Sequence, residues 1–257
     1  MTHHTPALSP QALTKICDDL LNPDAFDDYC SNGLQIDGGQ AISHIVTGVA
    51  ACQALIDRAI AVQAQAIIVH HGYFWKGESQ PLTDMKGKRI RTLLQNGISL
   101  LAYHLPLDAH TTLGNNALLA QALELQITGA LYPKERHPIG NMATCTPISA
   151  RDFAQKITTV LGRAPLHLGD GDKILRNVAL CTGAAQDMLT QAYKMGADAF
   201  ISGEVSERTT HEARELGVHY FACGHHATET FGVRALSDWL TREHKLSCEF
   251  IDINNPV

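Results

Sequence analysis

The feature that most constrains the fold is a repeated alternation of apolar strands and amphipathic helices. Residues 46–68 run as strand, Thr-Gly, helix and strand, and residues 180–201 repeat that order with a two-residue difference in length after the Thr-Gly. Such alternation predicts parallel strands joined by crossover helices. We therefore expect an α/β fold of two related, intertwined α/β domains, with two sheets or one composite sheet whose equivalent strand ends face each other.

The repeat also sets the predicted domain boundaries. Residues 1–126 are expected to form the first α/β half, and residues 177–257 the second half, which packs with the first. The segment between them, residues 127–176, is rich in proline and turn residues and contains one clear helix, with Ser149 as its predicted N-cap. We interpret this segment as a connecting insertion or subdomain.

Composition indicates the class of protein and its compartment. The chain has 257 residues, of which 45% are hydrophobic, enough to bury a core without a disulfide or a structural metal. Its seven cysteines include no Cys-x-x-Cys pair, and an odd number cannot all pair within one chain, which predicts a reducing cytoplasm. We expect no secretion signal, because the N-terminus lacks a basic region followed by an apolar one, and no membrane span, because no apolar run reaches the roughly 20 residues that a spanning helix needs.

Charge and histidine content narrow the function. The net charge is -6 and the lysines and arginines are not clustered, which predicts no nucleic-acid groove, because phosphate contacts supply most of that affinity. A nucleotide bound as a small substrate stays compatible with this charge. The chain has 14 histidines against 2 tryptophans and 6 tyrosines, an unusual excess, although two of the histidines belong to the N-terminal tail.

Histidines and carboxylates follow three of the predicted strands. In each half, one strand ends in a histidine with a carboxylate four residues later, and another strand of the first half ends in two adjacent histidines. Strand ends are where α/β proteins place their chemistry, and a four-residue spacing puts two side chains on one side of a helical turn. These residues are His70 with His71, His104 with Asp108, and His225 with Glu229.

This set of donors predicts a divalent-metal site. Imidazole and carboxylate ligands with positions left for water or substrate are typical of catalytic metals. Five ligands are too few to saturate two ions and more than one ion normally needs, which favours a dinuclear centre bridged by a water and by Glu229. His104 and His226 could instead orient a ligand, and buried histidines that only hydrogen-bond to backbone are the structural alternative. The predicted ligands are His70, His71, Asp108, His225 and Glu229.

Hydrolysis at such a centre would need a general acid or base, for which position makes Glu204 and His104 the candidates. Each has a structural alternative, since Glu204 could cap the helix that starts near Ser206 and His104 could only orient Asp108. The sequence also leaves open a protein without catalysis, one that uses its metals for binding, storage or delivery.

Four further residues near the predicted site have two interpretations each. Trp75 and Tyr73 could stack on a base while Lys76 meets a phosphate, or they could be ordinary residues of an exposed loop. Cys223 lies two residues before His225 and could be a thiolate ligand. Its place at the end of an apolar strand favours an inert core cysteine.

Five motifs resemble one known family, in order and over nearly the whole chain. They are His-His-Gly-Tyr-Phe-Trp-Lys-Gly-Glu at 70–78, His-Leu-Pro-Leu-Asp at 104–108, Ile-Ser-Gly-Glu-Val-Ser-Glu at 201–207, Gly-His-His-Ala-Thr-Glu at 224–229 and Phe-Ile-Asp-Ile at 250–253. Together they are similar to the NIF-three-like dinuclear metal-centre family, whose members are often called GTP cyclohydrolase 1 type 2 homologues.

The resemblance implies a set of expectations beyond those from the residues alone. It implies two divalent ions per chain, whether zinc, iron or manganese, held by the five predicted ligands. It also implies two related α/β domains and a homohexamer whose metal sites face an internal cavity. The activity it implies is that of a metal-dependent hydrolase acting on a nucleotide-like small molecule.

Overall fold

The computed structural model describes residues 7–257, and the chain divides into two compact units. Unit 1 comprises Met1–Leu107 with Gly232–Asn254, and unit 2 comprises Asp108–Phe231 with Asn255–Val257. Each unit has its own sheet with helices on both faces, which confirms the predicted α/β class. Among the described residues, none of the helices combines the length and the apolar character that crossing a membrane requires.

Unit 1 is built on a five-stranded sheet of order β1-β4-β3-β2-β11. Its strands are β1 (Gly33–Ile36), β2 (His44–Ala50), β3 (Ala66–His71), β4 (Ser99–Ala102) and β11 (Ser247–Phe250). All neighbours pair in parallel except β1 with β4. The four helices that cover the faces are α1 (Pro10–Leu21), α2 (Gln53–Ala61), α3 (Asp84–Gln95) and α10 (Thr230–His244).

Alternation along β3 builds the two apolar layers of unit 1. Ile67 and Val69 pack with α2 and α3, whereas Ala66 and Ile68 pack with α1 and α10 on the opposite face. Successive side chains of a strand point to opposite faces, so a strand covered on both sides reads as a continuous apolar run. This places His70 and His71 where the apolar run stops.

Unit 2 is built on a six-stranded sheet of order β5-β6-β8-β9-β10-β7, in which β8, β9 and β10 are mutually parallel. Its strands are β5 (Gln126–Ala130), β6 (Asn141–Ser149), β7 (Leu166–Leu168), β8 (Ile174–Cys181), β9 (Ala199–Ser202) and β10 (His219–Ala222). One face packs on α5 (Asn115–Ala122) and α6 (Ala150–Leu161), and the other on α7 (Leu189–Lys194) and α8 (Glu207–Leu216). Two short helices, α4 (Leu105–Ala109) and α9 (His225–Thr228), follow β4 and β10.

Strand pairing confirms the internal repeat and corrects its alignment. The sequence repeat aligns Ala66 of unit 1 with Ala199 of unit 2. Ala66 pairs with Ile45 and Ala199 pairs with Val178, so Ile45 and Val178 are equivalent positions. By this register Thr47 corresponds to Leu180 and not to Thr182. The sequence alignment matched the two Thr-Gly pairs because their residues are identical, whereas equivalence in a sheet is fixed by hydrogen-bonded register.

The predicted domain boundaries at residues 126 and 176 differ from the observed division. The segment 127–176 supplies β6, α6, β7 and most of β5, which pair or pack with the other elements of unit 2. The C-terminal residues of α10 and all of β11 belong to unit 1, where β11 pairs in parallel with β2. Prolines and turns mark loops locally, but they do not reveal which distant strand a segment will pair with.

A partly buried histidine pair joins the two strands at one edge of the unit 2 sheet. His167 on β7 and His219 on β10 lie with Nε2 and Nδ1 3.0 Å apart. The His167 ring also stacks on Phe221, with centroids 4.5 Å apart and planes 5° from parallel. Burial lowers the pKa of both histidines below the usual 6.5. Their neutral forms therefore contribute stability above the unfolded-state pKa, and this contribution is lost as pH falls below it.

We expect the melting temperature of the protein to fall between about pH 7 and pH 5, partly through this pair. His219→Asn keeps a hydrogen-bonding side chain that does not titrate, so the fall should be smaller in that variant. His211→Asn, at an exposed position on α8, is the matched control and should fall as the wild type does. Equal pH profiles for His219→Asn and His211→Asn would contradict the assignment.

Candidate metal centre

Three histidines of unit 1 lie together where two adjacent strands end. His70 and His71 are the last residues of β3, and His104 is the second residue after β4. Their ring centroids are 4.5 Å apart for His70 and His71 and 5.1 Å apart for His70 and His104. One possible ligand atom from each lies within 4.8 Å of the others. Three imidazoles at this spacing could hold a divalent ion.

The hydrogen bond of His70 shows how its ring is set for that role. His70 is fully buried, and its Nδ1 is 2.9 Å from the carbonyl oxygen of Tyr103. A carbonyl can only accept, so Nδ1 carries the proton and Nε2 is the basic nitrogen. Histidines that bind metals are held in this way, with one nitrogen donating to a fixed acceptor and the other facing the ion.

His104 is oriented by a carboxylate that sequence reasoning missed. Asp28 Oδ1 is 2.9 Å from His104 Nδ1, and Asp28 Oδ2 accepts hydrogen bonds from Leu105 N and Asn32 Nδ2. Burial opposes ionisation of Asp28, but the hydrogen bonds from His104 and Asn32 outweigh it and lower its pKa to about 2. Asp28 is thus ionised at neutral pH, and it holds the proton of His104 on Nδ1.

Asp108 is a buried carboxylate of unit 2 whose position is fixed by three polar side chains. Its Oδ1 accepts hydrogen bonds from Asn115 Nδ2 at 2.9 Å and from Thr182 Oγ1 at 3.2 Å. Asn116 donates to the Asp108 carbonyl and accepts from the Thr182 backbone, which ties the start of α5 to the end of β8. The polar side chains that hold Asp108 give no recognisable spacing in the sequence.

His225 stands between two carboxylates in unit 2. Its Nδ1 is 2.6 Å from Glu204 Oε1, and its Nε2 is 3.1 Å from Glu229 Oε2. Burial lowers the pKa of His225, but hydrogen bonds and charges from Glu229 and Glu204 more than offset this and raise it to about 9. Glu229 itself is only 2% exposed. These carboxylates therefore stabilise positive charge at His225, which is the charge that a divalent cation would supply.

Glu204 does not cap the following helix. The N-terminus of α8 is closed by the side chains of Ser206 and Thr209, which form a capping box. The Glu204 side chain instead accepts from His225, while the Glu204 carbonyl accepts from the Tyr220 hydroxyl at 2.5 Å. Its geometry is that of a residue that orients His225.

Two glycines let the backbone approach His225 and Glu229. A Cβ on Gly183, where φ is +68°, would lie 2.2 Å from Glu229 Oε1 and 3.2 Å from His225 Nε2. A Cβ on Gly203 would lie 2.7 Å from both the Gly183 carbonyl oxygen and His225 Cα. A side chain at either position would thus compete with these groups for space.

The cysteines near these groups behave as core residues. Burial, followed by the negative charges of Asp108 and Glu229, raises the pKa of the Cys181 thiol. Asp108 and Glu229 therefore both influence the pKa of the same side chain, that of Cys181 at the end of β8. Cys223 is fully buried in the apolar cluster under α5 and α6, as its strand position predicts, and burial raises its pKa as well.

The two His-x-x-x-carboxylate motifs are one residue out of register. Tyr103 N donates to Val69 O in unit 1, and Cys223 N donates to Ser202 O in unit 2. Tyr103 is therefore equivalent to Cys223, and the residues that follow them, His104 in unit 1 and Gly224 in unit 2, are equivalent as well. His225 therefore occupies the place of Leu105 at the start of the short helix. The shared spacing arises from different positions, which explains why the two histidines have different partners.

The aromatic loop divides between buried and partly exposed residues. Tyr73 is 5% exposed, and its hydroxyl donates to Ala51 O at 2.7 Å, so its ring is not available for stacking. Trp75 is partly exposed, with its ring centroid 5.1 Å from that of His104. Tyr29, which sequence reasoning did not single out, has its ring 5.0 Å from His104 and 5.8 Å from Trp75.

Comparison with known proteins agrees with these features. Residues 9–256 match the Duf34/NIF3 (NGG1p interacting factor 3) family. A Vibrio cholerae serotype O1 protein described as a GTP cyclohydrolase 1 type 2 homolog is 49% identical over 249 residues, which cover 95% of this chain and 98% of that protein. The solved structure of protein ybgI, described as of unknown function, has a TM-score of 0.93 at 47% identity, covering 97% of this chain and 100% of that one. A structure from Thermus thermophilus has a TM-score of 0.87 at 32% identity with the same coverage. The chain therefore belongs to the Duf34/NIF3 family.

Proposed function

We propose that this protein is a dinuclear divalent-metal hydrolase that acts on a nucleotide-like small molecule. The observation that carries the proposal is that unit 1 and unit 2 each hold buried donors whose orientation is fixed by hydrogen bonds. These are imidazoles in unit 1 and carboxylates with an imidazole in unit 2. The proposed metal ligands are His70, His71, Asp108, His225 and Glu229.

Chain connectivity supports a shared role for the two sets of donors. Asp108 is the first residue of unit 2 after the chain leaves unit 1, and Glu229 lies three residues before the chain returns at Gly232. Both carboxylates are thus tied closely to the two points where the chain passes between the units. Relatives of this chain are described as GTP cyclohydrolase 1 type 2 homologues, and this description supports the proposal that the substrate is a nucleotide.

The residues of this chain would each have a defined task. Two divalent ions, when bound, lower the pKa of a water molecule and stabilise negative charge that develops on the substrate. His70 keeps Nε2 as its basic nitrogen because Tyr103 O holds its Nδ1 proton. Glu204 fixes the ring of His225, and Asn115 with Thr182 fixes the carboxylate of Asp108.

His104 is the proposed general acid or base. Asp28 holds the proton on its Nδ1, so that Nε2 can accept a proton from water or return one to a leaving group. We assign Glu204 a positioning role, since one of its carboxylate oxygens already accepts a hydrogen bond from His225. Of the two catalytic candidates from the sequence, His104 is therefore the one we retain.

Metal content and turnover test the proposal together. Protein reconstituted with zinc, iron or manganese should hold about two ions per chain and should hydrolyse GTP or a related nucleotide. His104→Ala should keep the metal and lose most of kcat. If the protein binds about two ions per chain but turns over no nucleotide, the hydrolase proposal is wrong, and metal storage, metal delivery or partner binding are the functions that remain. Fewer than about one ion per chain would remove the dinuclear centre. The homohexamer implied by the resemblance stays a prediction that the native mass in solution tests.

A further inference from the structure

We propose that Tyr29 and Trp75 form a stacking surface for a planar nitrogen heterocycle, such as a purine or a pterin, beside the histidines of unit 1. The inference rests on the proposed function and specifies which part of the substrate this chain recognises. Every residue that carries it lies in unit 1.

Trp75 is held in a single orientation next to the histidines. Its indole nitrogen donates to Gly72 O at 3.2 Å, and its backbone nitrogen donates to Glu78 Oε2 at 3.2 Å. Its ring centroid is 5.9 Å from that of His71 and 5.1 Å from that of His104. Because the polar atom of the indole is already satisfied, the part that remains for recognition is its aromatic face.

The loop that presents Trp75 has an unfavourable backbone conformation. Phe74, the residue before it, has φ of +64°, in the left-handed region that bulky residues rarely adopt. This conformation is stabilised by Glu78, whose Oε2 accepts a hydrogen bond from Phe74 N at 2.9 Å. Lys86 contacts both residues, with its Nζ 3.0 Å from Glu78 Oε2 and 4.8 Å from the centroid of the Phe74 ring. Strain held in place by specific contacts is typical of functional sites.

Tyr29 is exposed and yet anchored on the same side of the histidines. It is 54% exposed, and its carbonyl accepts from Lys76 N at 2.7 Å, which links it to the Trp75 loop. Its neighbour Asp28 is bound to His104. The Tyr29 ring itself contacts the rings of Trp75 and His104, and an aromatic ring placed in this way at the surface offers area for stacking with little loss of conformational entropy on binding.

The geometry of the two rings defines the kind of ligand. The rings of Tyr29 and Trp75 are tilted by 37° with centroids 5.8 Å apart, so they touch each other and leave no slot for a sandwiched ligand. A planar ring would therefore stack on an exposed face of Tyr29 or Trp75. Nitrogen heterocycles are the suitable class, because stacking on aromatic side chains is strong for every base.

Fluorescence provides a direct test, because Trp75 and Trp239 are the two tryptophans of the chain. In metal-loaded Trp239→Phe protein, guanosine should quench the emission of Trp75 saturably. Guanosine carries no phosphate, so a contact with Lys76 cannot replace stacking. Tyr29→Ala should raise the dissociation constant by roughly tenfold, and Tyr29→Phe, which keeps the ring, should leave it unchanged.

Tyr193→Ala is the matched control, since Tyr193 is 49% exposed and lies in unit 2. It should bind guanosine as the Trp239→Phe parent does. The proposal is overturned if guanosine does not quench Trp75, or if Tyr29→Ala and Tyr193→Ala bind equally well. Saturable quenching without turnover supports the stacking surface and counts only against the hydrolase. Turnover of a nucleotide without quenching overturns the stacking surface alone.

Discussion

Replacing Glu229 by glutamine is expected to remove bound divalent metal and, with it, hydrolysis. Glu229 is 2% exposed and its Oε2 lies 3.1 Å from His225 Nε2. Glutamine keeps the shape but removes the charge and introduces an amide nitrogen that cannot bind a cation. Residues that only orient a ligand contribute roughly 10- to 100-fold to metal affinity, so loss of the ligand itself should exceed that range.

The matched control for this variant is Glu207→Gln. Glu207 and His211 form another pair of glutamate and histidine four residues apart, with Oε1 and Nε2 3.0 Å apart, but their side chains are 86% and 63% exposed. Calorimetric titration of metal into both variants compares a buried pair with an exposed one. Metal should also raise the melting temperature of Glu207→Gln and not that of Glu229→Gln. Full metal affinity in Glu229→Gln would exclude Glu229 as a ligand.

The strands that pair in parallel could be predicted from the sequence, including β11 at one edge of the unit 1 sheet, whereas β1, β5, β6 and β7 could not. The apolar run at residues 199–202 predicts β9 over its full observed length, because a parallel strand covered on both faces must be apolar throughout. By contrast, β5 is exposed along most of its length, and β1 contains an irregularity in its pairing with β4. Edge strands of this kind are specified by their partners, which lie far away in sequence.

The candidate metal residues could also be predicted, but the groups that orient them could not. Strand ends followed by histidines and carboxylates are visible in the chain, whereas Asp28 is 76 residues from His104 and Thr182 is 74 residues from Asp108. Such polar contacts depend on the tertiary fold and leave no spacing pattern. The shift of one residue between the two His-x-x-x-carboxylate motifs was hidden for the same reason, since strand register decides equivalence.

Replacing Gly183 by alanine should weaken metal binding without unfolding the protein. The new methyl group would lie 2.2 Å from Glu229 Oε1, so the carboxylate must move. Glu229 is buried and cannot swing into solvent, and the displacement should therefore alter the position from which it would bind a metal. We expect metal affinity to fall by more than about tenfold, by analogy with the loss of an orienting contact. Calorimetric titration measures this effect.

Gly217→Ala separates the effect of the methyl group from that of the backbone. Gly217 has the same φ of +68° as Gly183, but nothing lies within 4 Å of its Cβ position. Alanine in the left-handed region costs roughly 1–2 kcal/mol, so Gly217→Ala should lose about that much free energy of unfolding when metal is absent. Gly183→Ala should lose more because of the contact with Glu229, and it alone should lose metal affinity. Equal metal affinities in the two variants would show that the space in front of Glu229 is not needed, because the backbone strain is common to both and only the methyl group at residue 183 reaches the carboxylate.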